Sequence, residues 1–173
     1  IYRVNLFNTS NGVFTGISKG TVSGLAYAMK QSLPGIETIA RISSKEGAVV
    51  YNASGQIRNL ENRIVFADHS VVDILAINLL AGDNLKVLKT VQSIIISESI
   101  AIKYFGSRDA VGKSLEIGFP GANIEMKQFV VGGVFEIRTD ANEQFDIVLP
   151  PANEQQWNEN WAWSNVTTYA RLH

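Results

Sequence analysis

The chain has 173 residues, a formal net charge of −1, 46% hydrophobic and 18% charged residues, and no cysteine. That is enough apolar material for one sizeable core or two small subdomains, in globular rather than disordered proportions. The lack of cysteine excludes a disulfide scaffold and a thiolate metal site, and the absence of a basic stripe or polybasic run leaves no signal for nucleic acid or for an anionic-lipid anchor.

Tyr2, Val4 and Leu6 alternate with Arg3, Asn5 and Phe7, a strand pattern. Asn8 to Gly20 is rich in Asn, Thr, Ser and Gly and reads as a loop. Val22, Leu25, Ala26, Met29 and Leu33 fall at helical spacing, and Pro34-Gly35 stops that helix. Strands are expected over Ile36–Ile42, Ala48–Tyr51 and Gln56–Ala67, the last two joined by a turn at Asn52-Ala53-Ser54-Gly55. A short helix over Ser70–Ala76 leads to the apolar run Ile77–Gly82 and a turn at Gly82-Asp83-Asn84.

Ile94-Ile95-Ile96 has the β-branched content of a buried strand. Ser97 suits the N-cap of a following helix, Glu98 its first turn, and Gly106 its left-handed end, with Ile100, Ala101, Tyr104 and Phe105 as the buried face. Further strands are expected at Leu115–Phe119, Lys127–Ile137, Phe145–Leu149 and Val166–Leu172, and Gly132-Gly133 marks a bulge or a close backbone approach. Strands mixed with short helices make the fold class α+β. The longest apolar run, Val71–Ala81, is broken by Asp73 and Asn78 and falls short of the roughly 20 residues a spanning helix needs. With Ile1 at its start and a strand running into His173, the chain reads as an excised part of a longer protein.

Four motifs invite a chemical reading. Gly106 to Ser114 ends in Gly-Lys-Ser like a phosphate-binding loop, but five residues rather than four separate its glycines, and a helix precedes it where a strand is needed. Asp68, His69 and Asp73 resemble a metal cluster, but adjacent residues point apart on regular backbone, and a helix-capping Asp68 beside an exposed His69 is the expectation. A Ser-His-Asp hydrolase lacks the G-x-S-x-G elbow. Asn8-Thr9-Ser10, Asn52-Ala53-Ser54 and Asn165-Val166-Thr167 match the glycosylation triplet, which arises readily by chance. No catalytic, cofactor-binding or metal residue is assigned. Trp157, Trp161 and Trp163 form the one candidate partner or ligand surface. Against it, Trp157 and Trp161 at i and i+4 could simply pack one helical turn onto a sheet.

Three blocks carry a family resemblance. The first is Leu33-Pro34-Gly35-Ile36-Glu37 with Ile39-Ala40-Arg41; the second is Val65-Phe66-Ala67-Asp68, then Asp73-Ile74-Leu75 and Leu79-Leu80-Ala81-Gly82-Asp83. The third and most specific is Ile96-Ser97-Glu98, Ala101, Lys103-Tyr104-Phe105-Gly106, Asp109, Val111-Gly112-Lys113 and Leu115, followed by Phe129-Val130-Val131-Gly132-Gly133-Val134. Together they resemble the MacB-type periplasmic core domain of FtsX-family ABC-transporter permeases over the whole chain. The chain departs from that pattern at Val71 and Val72, where the family often has aromatic residues, and at Ala110, where it often has proline.

The resemblance implies a porter-like α/β subdomain (1–92 and 161–173) with mixed sheets and short helices, plus a strand-rich sabre-like insertion (93–160). It implies a non-catalytic module on the periplasmic face of the bacterial inner membrane. That module would couple cytoplasmic ATP hydrolysis to periplasmic movement for export or signalling. The implied partners are a cytoplasmic ABC ATPase subunit, a second permease domain, and a periplasmic or outer-membrane protein; no cofactor is implied. The rival expectation is a stand-alone periplasmic ligand- or glycan-binding module using Trp157, Trp161 and Trp163.

Overall fold

A computed structural model describes residues 1–52, 57–121, 124–137, 143–162 and 164–173. The chain opens with β1 (Tyr2–Val4), β2 (Leu6–Ser10), β3 (Val13–Ser18) and β4 (Thr21–Val22), then α1 (Ser23–Ser32). Next come β5 (Ile36–Lys45), β6 (Ala48–Asn52), β7 (Arg58–Glu61), β8 (Ile64–Ala67), α2 (Val71–Ile74) and β9 (Leu79–Gly82). The second half holds β10 (Ser93–Ser97), α3 (Glu98–Phe105), β11 (Ser114–Gly118), β12 (Lys127–Phe135), β13 (Ile147–Leu149), α4 (Glu154–Glu159) and β14 (Ser164–Leu172).

All these strands except β2 and β3, which pair only with each other, form one large sheet in the order β1-β14-β5-β8-β13-β10-β12-β11-β6-β7, with β4 also on β14 and β9 also on β12. β8 with β13 and β10 with β12 run parallel, and the other pairs are antiparallel. This is the α+β class the sequence predicts. Period-two alternation splits the core between the sheet's faces. Ile64, Ile94, Ile96, Ile147 and Leu149 join one apolar cluster, covered by Ile100, Ala101 and Tyr104 of α3. Val65, Ile95 and Val148 join the other, covered by Val71, Val72 and Ile74 of α2 with Val87 and Leu88.

The third resemblance block builds α3 as its residues dictate. The Ser97 hydroxyl accepts from the Ile100 N–H, Glu98 lies in the first turn, and Gly106 ends the helix at φ 72°. The strand after Gly112 and the helix before Gly106 are the reverse of a phosphate-binding loop, and the Gly112 N–H donates to the Val131 carbonyl. Gly132-Gly133 is a close approach, as expected. The β10–β12 register shifts beside it, and a Cβ on Gly82 would meet the Gly132 carbonyl oxygen at 2.5 Å.

Two expectations are corrected. Asn8–Gly20 is largely a β-hairpin: Phe7 pairs with Ile17 and Thr9 with Phe14 across a turn at Asn11-Gly12, both with positive φ. The single strand expected over Gln56–Ala67 is two, because the chain turns at Asn62-Arg63 between β7 and β8. Of the turn expected at Asn52-Ala53-Ser54-Gly55, all but Asn52, the last residue of β6, lies outside the described residues.

Candidate functional site

Arg41 stands on β5 between two core residues, Ala40 and Ile42, so alternation turns it to the opposite face, where α1 and α4 pack. A buried guanidinium needs its charge and its donors matched. Nε and the backbone N of Arg41 donate to Asp68 Oδ2, each at 2.8 Å, and Nη2 donates to Oδ1 at 2.7 Å. Nη1 donates to the Ser23 carbonyl at 3.0 Å and to Asn158 Oδ1 at 2.9 Å. The Trp157 ring lies against the same guanidinium, 4.9 Å from ring centroid to Cζ. Asp68 is therefore an ion-pair partner and not the helix cap expected of it: its carboxylate is drawn to Arg41 rather than to the first turn of α2.

The tryptophans follow from this anchor. Asn153 caps α4 by accepting from the Gln156 N–H, and the Gly24 N–H donates to the Asn160 carbonyl, which ties the end of α4 to α1. Trp157 is thereby turned inward onto Arg41. Trp161 lies past the end of the helix, so the two do not share one helical face; its indole rests on Gly24, where a Cβ would meet the ring at 2.9 Å, and it remains 57% exposed. Trp163 lies outside the described residues.

Beside this anchor is a polar concavity of about 330 Å³ bordered by Tyr27, Lys30, His69, Ser70 and Glu154. Its hydrogen-bonding groups are largely engaged: Lys30 Nζ donates to the Ile36 carbonyl at 3.0 Å and Ser70 Oγ to the Ile39 carbonyl at 2.7 Å. The residues read as a metal cluster are drawn apart: Asp68 is held by Arg41, Asp73 accepts from Arg171 Nη2 at 2.5 Å, and His69 is exposed. Among the described residues no group of three or more metal-ligating side chains comes together.

An apolar cavity of about 290 Å³ opens on the other face between α2, β12 and β14, lined by Leu75, Ile77, Phe135, Ile137, Phe145 and Tyr169. The Tyr169 hydroxyl donates to Glu143 Oε1 at 2.6 Å. Burial and that carboxylate hold the phenol's pKa above its usual range. A second ionic site ties the end of β14 down: Arg171 bonds Glu37 at the start of β5 and Asp73 of α2. Sequence reasoning missed both arginine sites. The signal for the first was a lone Arg inside an apolar strand, which demands a buried acid.

The chain's two ends leave the sheet together. β1 pairs antiparallel with β14, Tyr2 opposite Ala170, and the His173 N–H donates to the Gly35 carbonyl. No helix among the described residues is long and apolar enough to cross a membrane.

Comparison with known proteins agrees with this architecture. The chain is similar to a domain assigned to a permease protein from Porphyromonas gingivalis, at 25% identity and TM-score 0.74, over 91% of this chain and 70% of that one. It shares its fold with the periplasmic region of MacB from Actinobacillus actinomycetemcomitans (16% identity, TM-score 0.58, 88% of this chain and 64% of that one). It also shares it with the extracellular domain of the noncanonic ABC-type transporter YknZ from Gram-positive bacteria (12% identity, TM-score 0.63, 99% and 84%). No curated protein sequence matches the chain. The family model described as the MacB-like periplasmic core domain matches residues 2–172, so the chain belongs to that family.

Proposed function

We propose that the chain is the periplasmic domain of an ABC-transporter permease, non-catalytic itself, and that it couples cytoplasmic ATP hydrolysis to movement outside the membrane for export or signalling. The observation that carries this reading, beside the family, is the pairing of β1 with β14. Adjacent antiparallel ends are the geometry of a domain inserted between two consecutive membrane helices. Each end lies on the same sheet as the core, so displacement of a flanking helix is passed directly into that sheet. Arg171, bonded to both Glu37 and Asp73 at the end of β14, stiffens that connection. In this reading the partners are a cytoplasmic ATPase subunit and a second permease domain, and the movement is a two-state closure biased by nucleotide at a distant site.

The porter-like (1–92 and 161–173) and sabre-like (93–160) ranges would be the two parts that shift. Strands of both meet where β13 pairs with β8, so the shift would be a twist of one sheet rather than a hinge between separate bodies.

Two measurements test the proposal. The parent gene is expected to encode an apolar stretch of about 20 residues before Ile1 and more after His173. In a parent protein without other cysteines, Glu159→Cys, on the exposed side of α4, is expected to react with a membrane-impermeant maleimide in intact cells. Flanks without apolar stretches, or labelling only after lysis, would overturn the reading. Coupling is tested separately: a spin label at the same position should report a distance between paired domains that changes with ATP and not with a hydrolysis-dead ATPase trapped in one state.

A second reading rests on Trp161, whose exposed indole offers a docking point for a ligand or a partner protein. Saturable change in tryptophan fluorescence with glycans, abolished in Trp161→Ala, is the result that reading requires.

A further inference from the structure

The apolar cavity of about 290 Å³ lies where the porter-like and sabre-like ranges meet. Leu75, Ile77 and Tyr169 wall it from the first, and Phe135, Ile137 and Phe145 from the second. Its floor is core: Ile74, Phe135 and Phe145 are at most 6% exposed, and the two phenyl rings meet edge to face. Leu75, Ile77 and Ile137 are half-buried, packed on the core cluster and bordering the open space. A molecule-sized recess with an apolar floor and a few polar groups at its rim, set between two parts of a chain, is the usual form of a ligand site.

The backbone beside it is strained. The Ala76 N–H donates to the Asp73 carbonyl and the Ile77 N–H to the Val72 carbonyl, which reverses the chain at the end of α2 and sets Leu75 and Ile77 in the cavity wall. The reversal puts Ala76 at φ 49°, left-handed backbone that ordinarily falls to glycine. Strain of this kind gathers at ligand sites.

The rim is bridged from one range to the other. Asn78 Nδ2 donates to Glu136 Oε2 and the Glu136 N–H to the Asn78 carbonyl, each at 3.0 Å, and the Tyr169 hydroxyl donates to Glu143 Oε1 at 2.6 Å. Arg3, opposite Tyr169 across the β1–β14 ladder, lies beside that hydroxyl. These groups set the occupant's chemistry. The apolar floor rewards hydrocarbon and penalises a buried charge. Glu136 and Glu143 repel an anion, while Arg3 offsets the attraction they would have for a cation. The space holds roughly ten non-hydrogen atoms, taking about 30 Å³ for each as in liquid water.

We propose that this cavity binds a compact, uncharged, chiefly hydrocarbon molecule, held between Ile77 on one side and Phe135 and Phe145 on the other. Such a ligand touches both ranges. It favours the arrangement of the sheet in which the cavity is formed, because a ligand shifts an equilibrium by its differential affinity for the two states. The site would thereby regulate the twist proposed above. That consequence rests on the permease reading; the binding itself does not.

The test uses the 173-residue chain, 3-phenylpropan-1-ol as the probe and 3-phenylpropanoate as its anionic counterpart, followed through isoleucine methyl resonances. The alcohol is expected to shift Ile74, Ile77 and Ile137 with a dissociation constant below about 1 mM. Ile94 and Ile117, in the opposite core cluster, should not move. The carboxylate should bind at least about tenfold more weakly. Ile77→Trp, which puts an indole into the space, should weaken the alcohol at least about tenfold, and the gentler Leu75→Phe roughly threefold; unchanged Ile94 and Ile117 resonances show that each variant is folded. No shift at the three cavity isoleucines up to the alcohol's solubility limit overturns the proposal. So does equal binding of the carboxylate, or binding undiminished in both variants. Failure here leaves the labelling and spin-label tests at Glu159 untouched, and failure there leaves this titration standing.

Discussion

Arg41 and Asp68 are joined by three hydrogen bonds, two to Oδ2 at 2.8 Å and one to Oδ1 at 2.7 Å, in a site where the arginine side chain is 5% and the aspartate 14% exposed. The pair sits where β5, β8, α1 and α4 meet, and it holds the tryptophan segment in place through Asn158 and Trp157. Removing one partner leaves an uncompensated buried charge, which costs about 3–5 kcal/mol. Asp68→Ala is therefore expected to lower the unfolding free energy by that amount in urea titration. Arg41→Met combined with Asp68→Leu should recover part of it, because the apolar pair removes the stranded charge but not the lost bond to the Ser23 carbonyl. Equal loss in the single and double variants would show that the ion pair is not what makes the site stable.

Gly24 and Trp161 set the position of the exposed indole. A Cβ at Gly24 would lie 2.9 Å from the ring and 3.0 Å from the Asn158 carbonyl oxygen. The ring is more than half exposed and can swing outward. Gly24→Ala also gains about 1 kcal/mol of helix propensity in α1. Its stability is thus expected to stay within about 1 kcal/mol of the parent, while tryptophan emission shifts to the red. An unchanged spectrum would mean that Trp161 is not seated on Gly24.

Gly82 leaves no such freedom. Its φ is +107°, and a Cβ would meet the Gly132 carbonyl oxygen at 2.5 Å and the Gly133 Cα at 2.7 Å. Both obstacles are backbone in the middle of the sheet, so the β9–β12 pairing has to open. Gly82→Ala is expected to cost about 3 kcal/mol or more from left-handed backbone strain and the clash together. Hydrogen exchange should report loss of protection at Ala81 and Val134, which face each other in that ladder. Retained protection there would place the strain elsewhere.

What the sequence reveals and what it hides divide along physical lines. α3 was legible to the residue because its signals are local: Ser97 before it, an apolar face within it, Gly106 after it. Gly132-Gly133 was legible as a close approach for the same reason, since only glycine tolerates the contact with Gly82. The β2–β3 hairpin was hidden by its composition. Asn, Thr, Ser and Gly dominate it, and they outweighed the alternation of Phe7 and Thr9 and the Asn11-Gly12 turn that names a hairpin. The partners of Arg41 were beyond reach because Asp68, Asn158 and Ser23 meet it only through tertiary packing. Of the tryptophans, the sequence singled out a cluster, but the end of α4 sends Trp157 and Trp161 to different neighbours.

Tyr104 makes stability depend on alkaline pH. Its buried hydroxyl donates to Glu61 Oε1 at 2.6 Å, and Lys103 Nζ donates to the same oxygen at 2.6 Å. Burial first, and then the Glu61 carboxylate, hold the phenol's pKa well above its usual value near 10. A group whose pKa is raised on folding contributes stability that is complete below its unfolded pKa. That contribution is lost as pH rises toward the folded value, because the unfolded tyrosine releases its proton first. The protein is therefore expected to lose stability progressively above about pH 10. Tyr104→Phe should cost about 2 kcal/mol at neutral pH, where a hydrogen bond to a charged acceptor is lost. Above pH 10 the variant should decline less steeply, since it has one fewer phenol to ionise, so the gap between the two proteins narrows. Urea titrations at neutral and alkaline pH measure this directly; parallel curves for the two proteins across that range would assign the alkaline sensitivity to Tyr169 or to the lysines instead.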